Sequence, residues 1–285
     1  MIRVASPDRY RKFLVPYVRY RTQSGGPVSA GAGSWPAGAQ PGPFEIPTDV
    51  CKREPTGRTT LPPKSTVRDT QHRFARREDL GLSKGEFALL HRLSSPQKIQ
   101  EFLNRIPMNH EAGGETMLSV REVIRQRHAH CMEGALLAAC ALWIQGETPV
   151  LMHLDCALND YPHVIALFRR GKSWGAISKT NGAALRYRDP VYRTLRELAM
   201  SYFHEYCDKR GRKTLRSFSL PFDVRRLDPV LWVTNATACW ETHDRLASLR
   251  HYNLISPIQQ RRLSIRDTFE RRVAKIAQYP KVEGR

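Results

Sequence analysis

The sequence predicts an α+β domain, because a helix rich in alanine and leucine runs into short apolar stretches of strand length, with amphipathic helices on either side. Residues 132–145 concentrate Ala and Leu, strong helix formers, and Gly146 follows where a residue able to go left-handed closes a helix. Residues 149–154 and 163–168 are apolar runs separated by Asn159, Asp160 and Pro162, all turn formers. Residues 174–178 return after Arg169-Arg170-Gly171-Lys172-Ser173, a sequence suited to a hairpin, so the strands are expected to be antiparallel.

Ahead of that core, residues 22–65 are crowded with Gly, Pro, Ser and Thr and lack sustained periodicity. Burial there cannot offset chain entropy, so residues 1–79 are expected to be a disordered basic tail and residues 80–285 the domain. Residues 1–21 mix basic side chains with Tyr10, Phe13, Tyr17 and Tyr20, and contain no apolar run of signal-peptide or anchor length.

Phe87, Leu89, Leu90 and Leu93 mark a helix over residues 84–93. Ser95 as N-cap and Pro96 at the first position start another, whose Ile99, Phe102, Leu103 and Ile106 fall on one face. After a flexible stretch at 111–114, Ser119 and Glu122 form a capping-box pattern for a short helix with Val120, Val123 and Ile124. Beyond the strands, Pro190 fits the first position of a long helix reaching Tyr206, with Leu195, Leu198, Ala199, Tyr202, Phe203 and Tyr206 on one face. Residues 207–216 read as a basic connection, and helical patterns over 236–251 and 257–278 form a C-terminal helical extension.

Cys131 stands where the chain enters the alanine-rich helix, in Arg127-His128-Ala129-His130-Cys131-Met132-Glu133. The helix N-terminus favours a thiolate by about 0.3–1 kcal/mol, less than the roughly 1.4 kcal/mol of one pKa unit. Ionisation near neutrality therefore needs a cationic neighbour, usually a histidine, and His163 opens the second strand. Cys140, deeper in the same helix, reads as packing. His128, His130, Cys131, His153 and Cys156 include metal-ligand types, but no Cys-x-x-Cys or His-x-x-x-His spacing occurs, and no metal or cofactor is expected.

Cys131-x-Glu133-x-Ala135, Asp160-x-x-His163 and the Trp174 hairpin return resemble the transglutaminase-like superfamily over residues 119–206. That family places a nucleophilic Cys at a helix start, a His on a following strand and an Asp one strand later. The resemblance implies a papain-like Cys/His fold in which His163 takes the thiol proton and Cys131 attacks an amide or ester carbonyl to form a thioester. Water would then complete a hydrolysis and an amine a transfer. Many family members carry an Asp four residues after the tryptophan, where this chain has Ser178. Asn181 is the candidate to orient the imidazole, as Asn does in papain-like triads, with Ser178 the alternative and Asp189 a further one. Gln126, His128 and His130 are candidates to join the Cys131 N–H in an oxyanion hole. Glu133 is a first-turn acid favourable to the helix dipole or a group that orients substrate.

Charge supplies a rival function. Lys and Arg number 46 against 27 acids, and about +12 of the net +19 lies beyond Asp79. Such a field attracts nucleic acid or another acidic partner. The alternative to an enzyme of peptide or protein amides is therefore an inactive relative serving as a basic binding module. No internal repeat, phosphate-binding glycine loop, zinc-finger array or nucleic-acid module is evident. Six dispersed cysteines without a secretory leader fit reduced thiols in the cytoplasm, with no membrane partner.

Overall fold

The computed structural model describes residues 74–279, so the expectations for residues 1–73 lie outside the described residues. The domain starts earlier than residue 80. Buried Ala75 donates its N–H to Trp143 O at 3.1 Å. Phe74 covers Gly146, whose φ of +82° ends the alanine-rich helix and whose Cβ position is 2.4 Å from the ring. A side chain there would meet both backbone strain and a collision.

Four helices open the fold: α1 (Lys84–Arg92), α2 (Pro96–Arg105), α3 (Val120–Gln126) and α4 (Cys131–Ile144). Each begins on a side-chain cap, from Ser83, Ser95, Ser119 and His130, which satisfies N–H groups that a helix start leaves unpaired. Every residue of α4 from Met132 to Ile144 is buried. A helix apolar all round belongs in a core, and α4 packs against α1, α2 and α3 as well as the sheet.

The sheet comprises β1 (Val150–Cys156), β2 (His163–Arg170), β3 (Ser173–Ile177), β4 (Arg188–Tyr192), β5 (Leu215–Ser219), β6 (Phe222–Asp223) and β7 (His251–Asn253). Its order is β4-β3-β2-β1-β5-β7, with β6 also on β1, and all its pairs are antiparallel. Side chains alternate between the two faces. Leu151, Val164, Ala166, Phe168 and Ile177 join the α4 core, whereas Met152, Leu154, Ile165, Leu167 and Ala176 meet Leu198, Ala199, Tyr202, Phe203 and Tyr206. Two covered faces explain why residues 163–168 are apolar without alternation.

Several expected elements differ. The long helix from Pro190 is replaced by β4 and a short α5 (Leu195–Met200), because Thr194 and Glu197 form a capping box further along. Pro190 instead lies in an edge strand, where a missing N–H is tolerated. The basic connection runs into β5, and the 236–251 helix is confined to α6 (Trp240–Ala247) before β7. The C-terminal helix divides into α7 (Pro257–Arg261) and α8 (Thr268–Val273). The break is held by the Arg266 side chain donating to His204 O at 2.6 Å and its N–H donating to Gly211 O at 2.9 Å. No helix among the described residues is long and apolar enough to cross a membrane.

Gly134 sets the distance between α4 and the segment after β3. A Cβ on Gly134 would lie 2.5 Å from Lys179 Cβ. Lys179 cannot yield easily, since its buried ammonium donates to Leu103 O at 2.8 Å and Ile106 O at 2.6 Å at the end of α2. Gly134→Ala is expected to cost about 1–3 kcal/mol of stability, read as a lowered denaturation midpoint. An unchanged midpoint would mean that the two segments are not in tight contact.

Candidate active site

Cys131 is the first residue of α4, so its N–H is among those without an intrahelical acceptor. Two imidazoles, those of His130 and His163, act on its thiol. Burial opposes ionisation, but the bonds and charges of His130 and His163 overcome it and hold the thiol well below its ordinary pKa. The helix alone would not do this.

His163 is the buried first residue of β2, paired with Leu154 across the ladder. Its Nε2 lies 2.7 Å from Ser178 Oγ, and Ser178 Oγ lies 2.5 Å from Leu185 O. A carbonyl can only accept, so the serine proton goes to Leu185 and the serine oxygen accepts from Nε2–H. This acceptor pattern assigns the ring proton to Nε2 and leaves the Nδ1 lone pair for the thiol. Gln100 holds the Ser178 backbone on both sides, accepting its N–H at 2.9 Å and donating to its carbonyl at 2.8 Å.

The third position against the imidazole is thus occupied by Ser178, not by Asn181. Both ends of the Asn181 amide are engaged elsewhere, Nδ2 donating to Tyr279 O at 2.7 Å and Oδ1 accepting Tyr279 N–H at 2.8 Å. Asp189 is exposed on the edge strand β4. Gln126 is exposed on α3 and donates to Glu122 Oε2, so it does not join the site, and His128 is half-buried between α3 and α4.

His130 caps α4 by accepting Met132 N–H on Nδ1 at 3.2 Å, while Nε2 lies 3.2 Å from Thr116 O and 3.3 Å from Glu133 Oε1. As a neutral ring it therefore carries its proton on Nε2. Burial works against a second proton, but the Cys131 bond and charge, then Glu133, push the pKa up to about 9. The capping bond favours the neutral ring and the thiolate the charged one, so His130 responds to the state of Cys131.

Glu133 is fully buried and faces inward. It accepts from His130 N–H at 2.8 Å, Leu118 N–H at 2.9 Å, the Thr116 hydroxyl at 2.9 Å and Asn109 Nδ2 at 3.1 Å. With its oxygens occupied in this way it positions protein groups and is not placed to orient a substrate. Asp160 likewise serves the framework, accepting from the Thr214 hydroxyl and from Tyr161 N–H to pin the β1–β2 connection.

Burial pushes the Cys140 thiol upward, and burial together with nearby carboxylates raises Cys156 and Cys239 to about 12. His153 Nδ1 lies 2.9 Å from His251 Nε2, and burial followed by that neighbour lowers its pKa to about 3. Among the described residues no group of three or more His, Cys, Asp or Glu is placed to hold a metal ion. The residues missed from sequence are Gln100, Asn109 and Thr116. Gln100 had a signal, since it shares a helical stripe with Pro96, Ile99 and Leu103, where a polar side chain needs a buried partner.

Comparison with protein-family models finds no match, and comparison with curated proteins finds none either.

Ser178→Ala is expected to slow iodoacetamide labelling of Cys131 at pH 6, by about tenfold for each pKa unit by which the thiol rises. Asp189→Ala should leave the rate unchanged. Equal rates in Ser178→Ala and the parent would show that the serine does not orient the ring.

Proposed function

We propose that this chain is a thiol-dependent acyl-transfer enzyme with a transglutaminase-like core, acting on peptide or protein amides. The observation that carries this reading is the arrangement of Cys131 at a helix start, its thiol drawn toward the ionised form by His163, with Ser178 behind that imidazole. In the proposed reaction the thiol proton passes to His163 Nδ1 and Cys131 Sγ attacks the carbonyl carbon. The C–N bond then breaks, the proton moves from His163 to the leaving amine, and the acyl group stays on sulfur as a thioester. Water, losing a proton to His163, attacks the thioester carbon; the C–S bond breaks, a carboxylic acid leaves and His163 returns the proton to Cys131 Sγ, whereas an amine attacking in the same way would give a new amide. The Cys131 N–H, free of an intrahelical partner, is one donor for the oxyanion. His130 and Glu133 are positioning residues, holding the helix start and favouring the thiolate. The described cysteines are all free, the state a thiol nucleophile requires.

The pH profile of iodoacetamide labelling, read at each cysteine by peptide mass spectrometry, tests this reading. Because the Cys131 pKa is lowered, its reactive thiolate persists as pH falls below neutrality. Cys140 and Cys239, with raised values, stay unlabelled there. His163→Ala should remove the low-pH reactivity. A Cys131 that titrates like an ordinary thiol would overturn the proposal.

A second reading, a basic binding module for nucleic acid, has one observation of its own. A cavity of about 210 Å³ is lined by Lys209, Thr268, Arg271, Arg272 and Lys275, with no acid among them. Such a lining suits phosphate oxygens. Under this reading a Cys131→Ala protein retains single-stranded RNA, and Arg271→Ala with Lys275→Ala lowers the log–log salt slope by about 1–2. No retention at low salt would remove it.

A further inference from the structure

The C-terminal segment is loosely attached over most of its length. α8 has no buried residue, and Ile265, Phe269 and Ile276 are exposed. Gln278 and Tyr279 are held quite differently. Ala277 bridges Gly182 antiparallel, Gln278 N–H donates to Asn181 O at 2.8 Å, and the Asn181 amide pairs with both N–H and C=O of Tyr279. His110 Nε2 lies 3.2 Å from the same Tyr279 carbonyl.

The side chains are gripped as well. Tyr279 OH donates to Asn104 O at 2.6 Å, and its ring lies 5.2 Å from the Lys179 ammonium. The Gln278 amide donates to Asn104 O at 2.8 Å and accepts from Arg186 at 2.9 Å. Main-chain pairing with side-chain contacts of this kind is how proteins read an extended peptide.

The slot also adjoins the site. His110 lies between Asn109, which reaches Glu133, and Glu111, whose Oε1 is 3.8 Å from His130 Nε2. Asn181 follows Ser178 by three residues. The Tyr279 carbonyl thus joins the two segments that flank Cys131 and His163.

We propose that the slot formed by Asn104, His110, Asn181 and Arg186 is a peptide-binding site, filled here by the chain's own Gln278 and Tyr279. Its ligand is an extended segment in which an amide side chain precedes a phenol. Treating that ligand as a substrate rests on the acyl-transfer reading, whereas the binding itself does not. A tethered tail competes at an effective concentration of order millimolar, so the intact chain resists a free peptide.

The test uses the full chain and a fluorescein-labelled Ile-Ala-Gln-Tyr-Pro peptide, followed by anisotropy. Gln278→Ala combined with Tyr279→Pro removes the tail's side-chain contacts and its N–H, so this variant should bind the peptide. The unsubstituted chain should bind at least about tenfold more weakly, and adding Asn181→Ala to the opened variant should remove binding. In the unsubstituted chain, excess unlabelled peptide should displace the tail and accelerate trypsin cleavage after Lys275, a readout that needs no variant. No binding by an opened variant of unchanged melting temperature, or no effect of millimolar peptide on cleavage, would overturn the proposal. These measurements do not involve the thiol, so they succeed or fail independently of the Cys131 pH profile.

Discussion

The carboxylate of Glu133 is fully buried, and removing such a charge from water costs several kcal/mol unless hydrogen bonds replace the lost solvent. Here the replacements come from Asn109, Thr116, Leu118 and the His130 backbone. Sliding or rotating the start of α4 would strand that charge, so the helix start is locked to the 109–118 segment. Cys131 lies two residues before Glu133 and takes its place from this lock, while Gly134, one residue later, leaves room for Lys179. Cap, thiol, anchor and gap thus fall within five consecutive residues.

The sheet contributes the other half. The β2–β3 hairpin brings the first residue of β2 and the residue after β3 to the same end of the sheet, so His163 meets Ser178. Gln100 from α2 fixes the serine backbone, and Lys179 ties the next residue to the end of α2. The arrangement depends on a helix, a hairpin and two buried polar side chains being correct together.

Much of this was legible because its causes are local. Ser95 and Ser119 announce α2 and α3 within three residues of the bonds they make, and the Ala/Leu run announces α4. The α+β class and the order of Cys131 and His163 followed from the same short-range signals. The choice between Ser178 and Asn181 did not. It is decided by Gln100, Leu185 and Tyr279, and two of these lie 78 and 98 residues away along the chain. The strands β4, β5 and β7 were hidden for a related reason: Arg188-Asp189-Pro190 and His251-Tyr252-Asn253 have mixed polarity and become strands through their partners. Glu133 looked like an ordinary first-turn acid because burial leaves no mark on a single residue's identity.

The direction of the hydrogen bonds behind His163 also limits where a proton can travel. Ser178 has one hydroxyl proton, and it points to Leu185 O, a main-chain carbonyl with nothing to pass on. The chain from ring to hydroxyl to carbonyl is a dead end, an anchor rather than a relay. In the proposed reaction a proton received on the sulfur side of the imidazole must therefore leave by that same side. The ring becomes a shuttle with a single dock, serving thiol, leaving amine and incoming water in turn, and the order of those visits sets the order of the chemistry.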